Sequence, residues 1–525
     1  MTRCTPGAII SVVPEIVPRA VNTGVPLLMT SLSAGQKRLL RNGVFLIIVA
    51  AIGNFIAYNI VHIPPQLQMV LLLAAAIIYP IIRKPVVGVY LIFTLMPFIS
   101  HIRRLYYLVD QRPTIDPLIA TGDLIITLTF IGLFFVFREQ QDEENRARGV
   151  SNFFLGYFIY LVFRTFFLNN LPTQQAIMRF HFYGPSVLFF FFGSLYARHT
   201  VLLKRIWYLT LVIGIISALY GLKQLVMGYS EAEQIWFSSI SFTTLFIKGF
   251  ARPFSFFQSP AAFADYMLLS IIGVLTVFSW LSNKGRWVIL VLIPVFFYGA
   301  LITSVRSNWI GIILSLLLWV VILQFKSKRN RILMIAGLFI LFIGTQLFDV
   351  SSQYGVGMNT VFSTLGGGFN QQQMQLLVTE RTGAIANPFE EYSFLSRVNL
   401  WKYILAQSGS PVRALLGSGV GSFNADSLYF TYLAELGYPG AIFIIGVTVF
   451  VILKGFNLMD RAVSVETRSL AKGITLMNIV YAVVNITGTH IHSFPADIYF
   501  WFWNGVLIKL VSDLQPESDT ADGPL

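Results

Sequence analysis

The chain has 525 residues, 55% of them apolar, 15% aromatic and only 12% charged, with a formal net charge of +13. That balance excludes a soluble globular domain, and it assigns the basic excess to loops beside a bilayer rather than to nucleic acid. The single cysteine, Cys4, excludes an intrachain disulfide and argues against a cysteine metal site.

Residues 1–42 are interrupted by Pro6, Pro14, Pro18 and Pro26 and lack the apolar core of a signal peptide, so they read as a flexible cytoplasmic N-terminal segment. A membrane span needs roughly 20 apolar residues. On that measure an all-α polytopic membrane domain fills residues 43–512. About fourteen transmembrane helices are predicted, near 43–61, 66–82, 86–100, 117–137, 153–169, 183–197, 206–227, 259–281, 287–304, 307–325, 332–348, 428–453, 474–490 and 496–512. Residues 513–525 form a tail.

Basic residues set the predicted orientation. Lys37, Arg38 and Arg41, then Arg83 and Lys84, Arg138, Arg146 and Arg148, Arg198, Lys204 and Arg205, Lys284 and Arg286, Lys326 to Arg331, and Lys454 to Lys472 all fall on one side if every span is real. Both termini are then cytoplasmic. The opposite side receives a long loop, 349–427, between the eleventh and twelfth spans. Its first half (GGGFNQQQMQ) reads as flexible and its second half as partly helical. That side also carries many arginines, which favours an anionic ligand there, although Arg103 and Arg104 read as solvated or headgroup-facing.

Six charged positions stand out. Arg306, in LITSVRSNWIGI, sits between two spans with almost no loop, as a snorkelling anchor or as part of a site. Arg252 opens RPFSFFQSPAAFADYMLL, where Ser259 and Pro260 suit the N-cap and first turn of a helix. Asp265, about two turns inside, is its partner or a substrate contact. In SRVNLWKYILAQSGSPVRALLGSGVGSFNADSLYFTYLAELGYPG, Arg397 precedes a glycine-rich turn at Gly417, Gly419 and Gly421 that can approach a ligand closely. Asp426 follows, either as an ordinary N-cap or as a base. Glu435, nine residues on, faces the opposite side of that helix and is expected to be buried, and Gly437, Pro439 and Gly440 fit close approach or a kink. His490 and His492 lack a third ligand for a metal site, and no nucleotide loop or hydrolase elbow occurs.

Three of these stretches, around Arg252, around Arg306 and from Arg397 through Gly440, resemble the O-antigen ligase and O-antigen polymerase (Wzy-like) superfamily of bacterial membrane glycosyltransferases. The resemblance covers roughly residues 180–510. It rests most on Asp426-Ser427, Tyr429, Glu435, Gly437 and Gly440. Ligases of this superfamily show His-Asn where this chain has Asp426-Ser427, and that departure favours a polymerase. The resemblance implies a GT-C-like fold in the bacterial inner membrane and metal-independent transfer, without a cofactor, of a polyprenyl-pyrophosphate-linked oligosaccharide to an acceptor sugar on the outer face. A flippase and a chain-length regulator are the partners it implies. On this reading Arg252, Arg306 and Arg397 clamp pyrophosphate, and Asp426 orients or deprotonates the acceptor. Tyr429, Trp401, Ser427, Glu435 and Asp265 are the candidate substrate contacts. The alternatives are a ligase that moves finished glycan onto a lipid or protein, and a transporter or flippase, for which the inverted repeats of transport folds are not detected.

Overall fold

A computed structural model describes residues 76–108, 119–137, 148–168, 180, 183–239, 245–247, 250–324, 392–423 and 425–514. All belong to one compact unit, Met69–Leu525. The described residues are helical apart from turns and one antiparallel pair of two-residue strands, β1 (Phe246–Ile247) and β2 (Phe250–Ala251). Five helices are long and apolar enough to cross a membrane: Pro85–Tyr106, Thr200–Met227, Pro260–Phe278, the segment Asn283–Ile302 and Leu428–Arg461. The expected spans near 43–61 and 332–348, most of that near 66–82, and the glycine- and glutamine-rich half of the long loop lie outside the described residues.

The first part of the described chain gives α1 (Pro85–Tyr106), α2 (Ile119–Phe137), α3 (Arg148–Phe166), α4 (Gly184–Tyr196), α5 (Thr200–Met227) and α6 (Glu231–Ser239). After the strand pair come α7 (Pro260–Phe278), α8 (Asn283–Leu290), α9 (Leu292–Ile302) and α10 (Arg306–Gln324). Local chemistry explains several boundaries. Ser259 caps α7, its side chain accepting from Ala262 N–H at 3.1 Å, and Pro260 fills the first turn, where its missing N–H costs nothing. The break between α8 and α9 falls at Val291, three residues before Pro294, which cannot donate and crowds the preceding turn.

The C-terminal part contains α11 (Tyr392–Gln407), α12 (Pro411–Leu416), α13 (Leu428–Arg461), α14 (Val465–Val484), a 3-10 turn (His490–His492) and α15 (Ala496–Asp513). Ser464 caps α14. This helix starts nine residues before the expected span at 474 and ends at Val484, so Arg468 and Lys472 lie on helix rather than in a loop. Lys454 and Arg461 likewise lie on α13.

The core forms where small residues let backbones touch, the usual device in apolar surroundings. A Cβ on Gly193 of α4 would sit 1.8 Å from Phe502 O, and one on Gly505 of α15 would sit 1.9 Å from Phe190 O. Stacked rings fill the space around this contact, Phe154 on Phe190 and Trp207 on Trp503. Three helix starts (α7, α10, α13) and the end of α14 meet at one end of this bundle. Leu428 N–H at the head of α13 donates to Asn485 O just past α14, at 3.0 Å. Arriving at the same end, Gln224 in the last turn of α5 accepts from Phe254 and Ser255 N–H.

Arg104 departs from its expected headgroup position. It is 1% exposed, because helix α1 continues to Tyr106 and carries it under the segment that follows α5. There it donates to Phe257 O (2.6 Å) and Ser255 O (2.7 Å), and its guanidinium lies over the rings of Phe254 and Trp236. Replacing Arg104 by methionine is expected to lower stability by on the order of 3 kcal/mol, since two carbonyls lose charged donors in a buried place. A thermal unfolding midpoint in detergent unchanged from wild type would contradict this.

Candidate functional site

The glycine-rich turn serves a purpose other than the expected approach to a ligand. Helix α13 is broken at Gly437, whose φ of 70° and ψ of −168° are open to glycine alone, and Pro439 removes a further amide donor. The break leaves carbonyls of the preceding turn without helical partners, and in a bilayer each such group costs several kcal/mol unless satisfied. Ser418 N–H donates to Ala434 O (2.7 Å), Gly419 N–H to Glu435 O (3.1 Å) and Tyr160 OH to Leu436 O (3.0 Å). Gly417, Gly419 and Gly421 all take positive φ to bring those amides in. A Cβ on Gly417 would fall 2.4 Å from Glu435 O, and one on Gly437 would fall 2.5 Å from Ala414 O. Arg164 of α3, 3% exposed, closes the arrangement by donating to Leu416 O, Gly417 O and Leu168 O.

Glu435 is buried beside this break, as its helical position predicts. Tyr183 OH donates to its Oε2, and Phe423 N–H donates to Oε1 at 3.3 Å. One helical turn away, Tyr432 OH lies 3.1 Å from His492 Nε2. Desolvation lowers the His492 pKa to about 3, so this ring is neutral near pH 7.

Asp426 is not the N-cap of α13. Ser427 holds that position, with its hydroxyl on Asn485 O at 3.5 Å, while Asp426 takes φ 46° and turns its carboxylate to Arg397, Nε to Oδ2 3.4 Å. The left-handed conformation is one that Asp tolerates. The carboxylate pairs with Arg397, and 55% of the Asp426 side chain is exposed. Trp401 and Tyr429 are tied to this edge by packing and backbone contacts. Trp401 Nε1 donates to Ala425 O (2.9 Å) and its ring stacks on Phe430, while Tyr429 OH donates to Ala482 O (2.7 Å).

Asp265 pairs elsewhere than with Arg252. It is wholly buried, its Oδ1 accepts from Asn308 Nδ2 (2.8 Å), and His490 Nδ1 lies 2.7 Å from the same oxygen. His490 N–H in turn donates to Asn485 Oδ1 (2.8 Å). A carboxylate on Nδ1 favours the tautomer that leaves the lone pair on Nε2, the arrangement of a proton-accepting imidazole. Nε2 is itself buried, and a Cβ on Gly488 would lie 2.3 Å from it.

Arg252, half-buried just after the strand pair, donates through Nη1 to Thr303 O (3.4 Å), in the turn that leads into α10 at Arg306. Ser304 bends that turn with φ 57°. Arg252 therefore reaches the turn that ends at Arg306, whereas Arg397 joins Asp426. Hydrogen bonds and short chain steps link the two groups in order: Arg397, Asp426, Ser427, Asn485, His490, Asp265, Asn308 and Arg306. None of these residues lines the larger described cavity, about 730 Å³, which lies between α3 and α13 beside the break and is walled by Phe153, Tyr157, Ile442, Phe443 and Phe450. Among the described residues no three His, Cys, Asp or Glu side chains gather as metal ligands. Asp265, Asn308 and His490 were the residues whose union sequence reasoning missed, although each lies in a stretch singled out above. No protein-family model matches the chain, and no curated protein matches it.

Proposed function

We propose that the chain is a Wzy-like polysaccharide polymerase, which transfers polyprenyl-pyrophosphate-linked oligosaccharide units onto a growing glycan at the outer face of a bacterial inner membrane. About fourteen spans, a GT-C-like arrangement and cytoplasmic termini belong to this reading. The observation that carries it is the gathering of Arg252, Arg306, the Arg397–Asp426 pair and the buried Asp265–His490 pair at one end of a helical bundle. The acceptor hydroxyl oxygen forms a bond to the anomeric carbon of the donor as the bond from that carbon to pyrophosphate oxygen breaks. The leaving lipid pyrophosphate takes the electron pair, and guanidinium groups offset its charge with planar, two-pronged hydrogen bonds. The acceptor's proton passes to a base, either His490 Nε2 or the Asp426 carboxylate.

Lipid-linked oligosaccharides extracted from a deletion strain test the reading. Accumulation of single repeat units supports a polymerase. Finished polymer stranded on the carrier means a ligase, and normal glycan with an altered distribution across the membrane means a transporter.

Two substitutions act on the exposed pair. Arg397→Lys is expected to cut long-chain polymer at least about tenfold, because a point charge replaces the fork; normal chain length in a membrane extract would remove Arg397 from the site. Asp426→Asn preserves the left-handed backbone, which asparagine also tolerates, and removes only the charge. Full polymer from that variant would leave His490 as the base.

A further inference from the structure

At the far end of α5 lies a second cavity, about 650 Å³, that the reaction above does not use. Gln224, near the C-terminus of α5, reaches the segment that carries Arg252, and the helix start at Thr200 lies roughly 36 Å away along α5. Lys84, Tyr90, Tyr196, Arg198, His199 and Arg205 line this cavity, and among the described residues that line it none is acidic. Arg198 is held by Asp513 in a two-pronged pair (2.9 and 3.0 Å), and among the described residues Arg205 Nη1 reaches Tyr90 OH, at 3.4 Å.

Two long helices also start here. Lys84 is the N-cap of α1 and His199 the N-cap of α5, and neither side chain hydrogen-bonds into the turn it heads. Pro85 has no N–H, and Val87, Thr200 and Leu203 N–H already donate to backbone carbonyls at these helix starts, so it is the basic side chains that attract an anion here. A separate observation indicates what the anion is attached to. Val201, Tyr208, Val212, Ile216 and Leu219 are all exposed, and their spacing of seven, four, four and three residues makes one apolar stripe that begins at the cavity and descends α5.

We propose that this cavity binds the phosphate headgroup of an anionic phospholipid, with its acyl chains laid along the α5 stripe. Lys84 and Arg205 supply the charge, and a zwitterionic headgroup leaves the basic walls uncompensated.

The test is native mass spectrometry of the full chain released from nanodiscs of mixed phosphatidylglycerol and phosphatidylcholine. Lys84 and Arg205 are both exposed, so the Lys84→Gln/Arg205→Gln variant is expected to fold, with an unchanged thermal unfolding midpoint in phosphatidylcholine alone. It should retain roughly tenfold less phosphatidylglycerol than wild type. A control with the same charge loss elsewhere, Lys284→Gln/Arg461→Gln, should retain it fully. Equal retention by both variants, or equal loss from both, would overturn the proposal. So would displacement of the retained lipid by inorganic phosphate alone, which would mark a site for a small soluble anion.

Discussion

Gly437→Ala is expected to prevent the folded chain from accumulating in membranes. Two costs coincide at this position. A residue with a Cβ held at φ 70° and ψ −168° is strained by about 1–3 kcal/mol. The new Cβ would also sit 2.5 Å from Ala414 O and 2.8 Å from Leu415 C, both backbone atoms that cannot rotate aside. Moving α12 to make room pulls Ser418 and Gly419 away from the carbonyls of Ala434 and Glu435, so the strain spreads into lost hydrogen bonds. Gly446→Ala in the same helix, where nothing lies within 4 Å of the added carbon, is the control and should accumulate normally. Size-exclusion profiles of fluorescent fusions in detergent read both variants. A monodisperse Gly437→Ala peak of wild-type height would show that the break is not locked as described.

The second large effect is expected at the buried dyad. On the proposed reaction, His490→Gln should lower transfer by about 10²–10⁴-fold, the usual contribution of a positioned base. Asp265→Asn should come close to it, because an amide no longer fixes the imidazole tautomer through the 2.7 Å contact to Nδ1. If the two side chains act as a unit, the double variant loses little more than either single one. Gly488→Ala offers an approach that keeps both side chains but displaces one. Its Cβ would lie 2.3 Å from Nε2 and 2.6 Å from Cδ2, so the imidazole must shift from its 2.7 Å contact with Asp265, and transfer should fall as it does in Asp265→Asn. Initial rates of polymer formation in membranes, normalised to protein abundance, measure all four. Full activity in His490→Gln at normal abundance would make the dyad structural and return the base to Asp426.

The chain was legible where chemistry is local. Ser259 and Pro260 announce the start of α7 because capping acts within three residues, and Gly437 with Pro439 announces a break because both act on their own backbone. Glu435 reads as buried from helical spacing alone. Partners far along the chain were not legible. Asp265 meets His490 across 225 residues, and nothing near either one encodes the other. Asp426 has the composition of a cap, but the carbonyl of Asn485 takes the first amide of α13, and Arg397 draws the carboxylate outward. Arg104 was misread for the same reason, since the carbonyls and rings that make its burial tolerable come from residues 236–257.

Synthesis order gives the broken helix a further meaning. Tyr160 and Arg164 leave the ribosome more than two hundred residues before Leu436 and Leu416, the carbonyls they hold. Those two contacts can close only after residues 416 and 436 have been added, so the broken helix completes its backbone bonding late, against a helix made long before it. A chain in which α3 fails to meet it leaves those carbonyls without the donors that make the break tolerable.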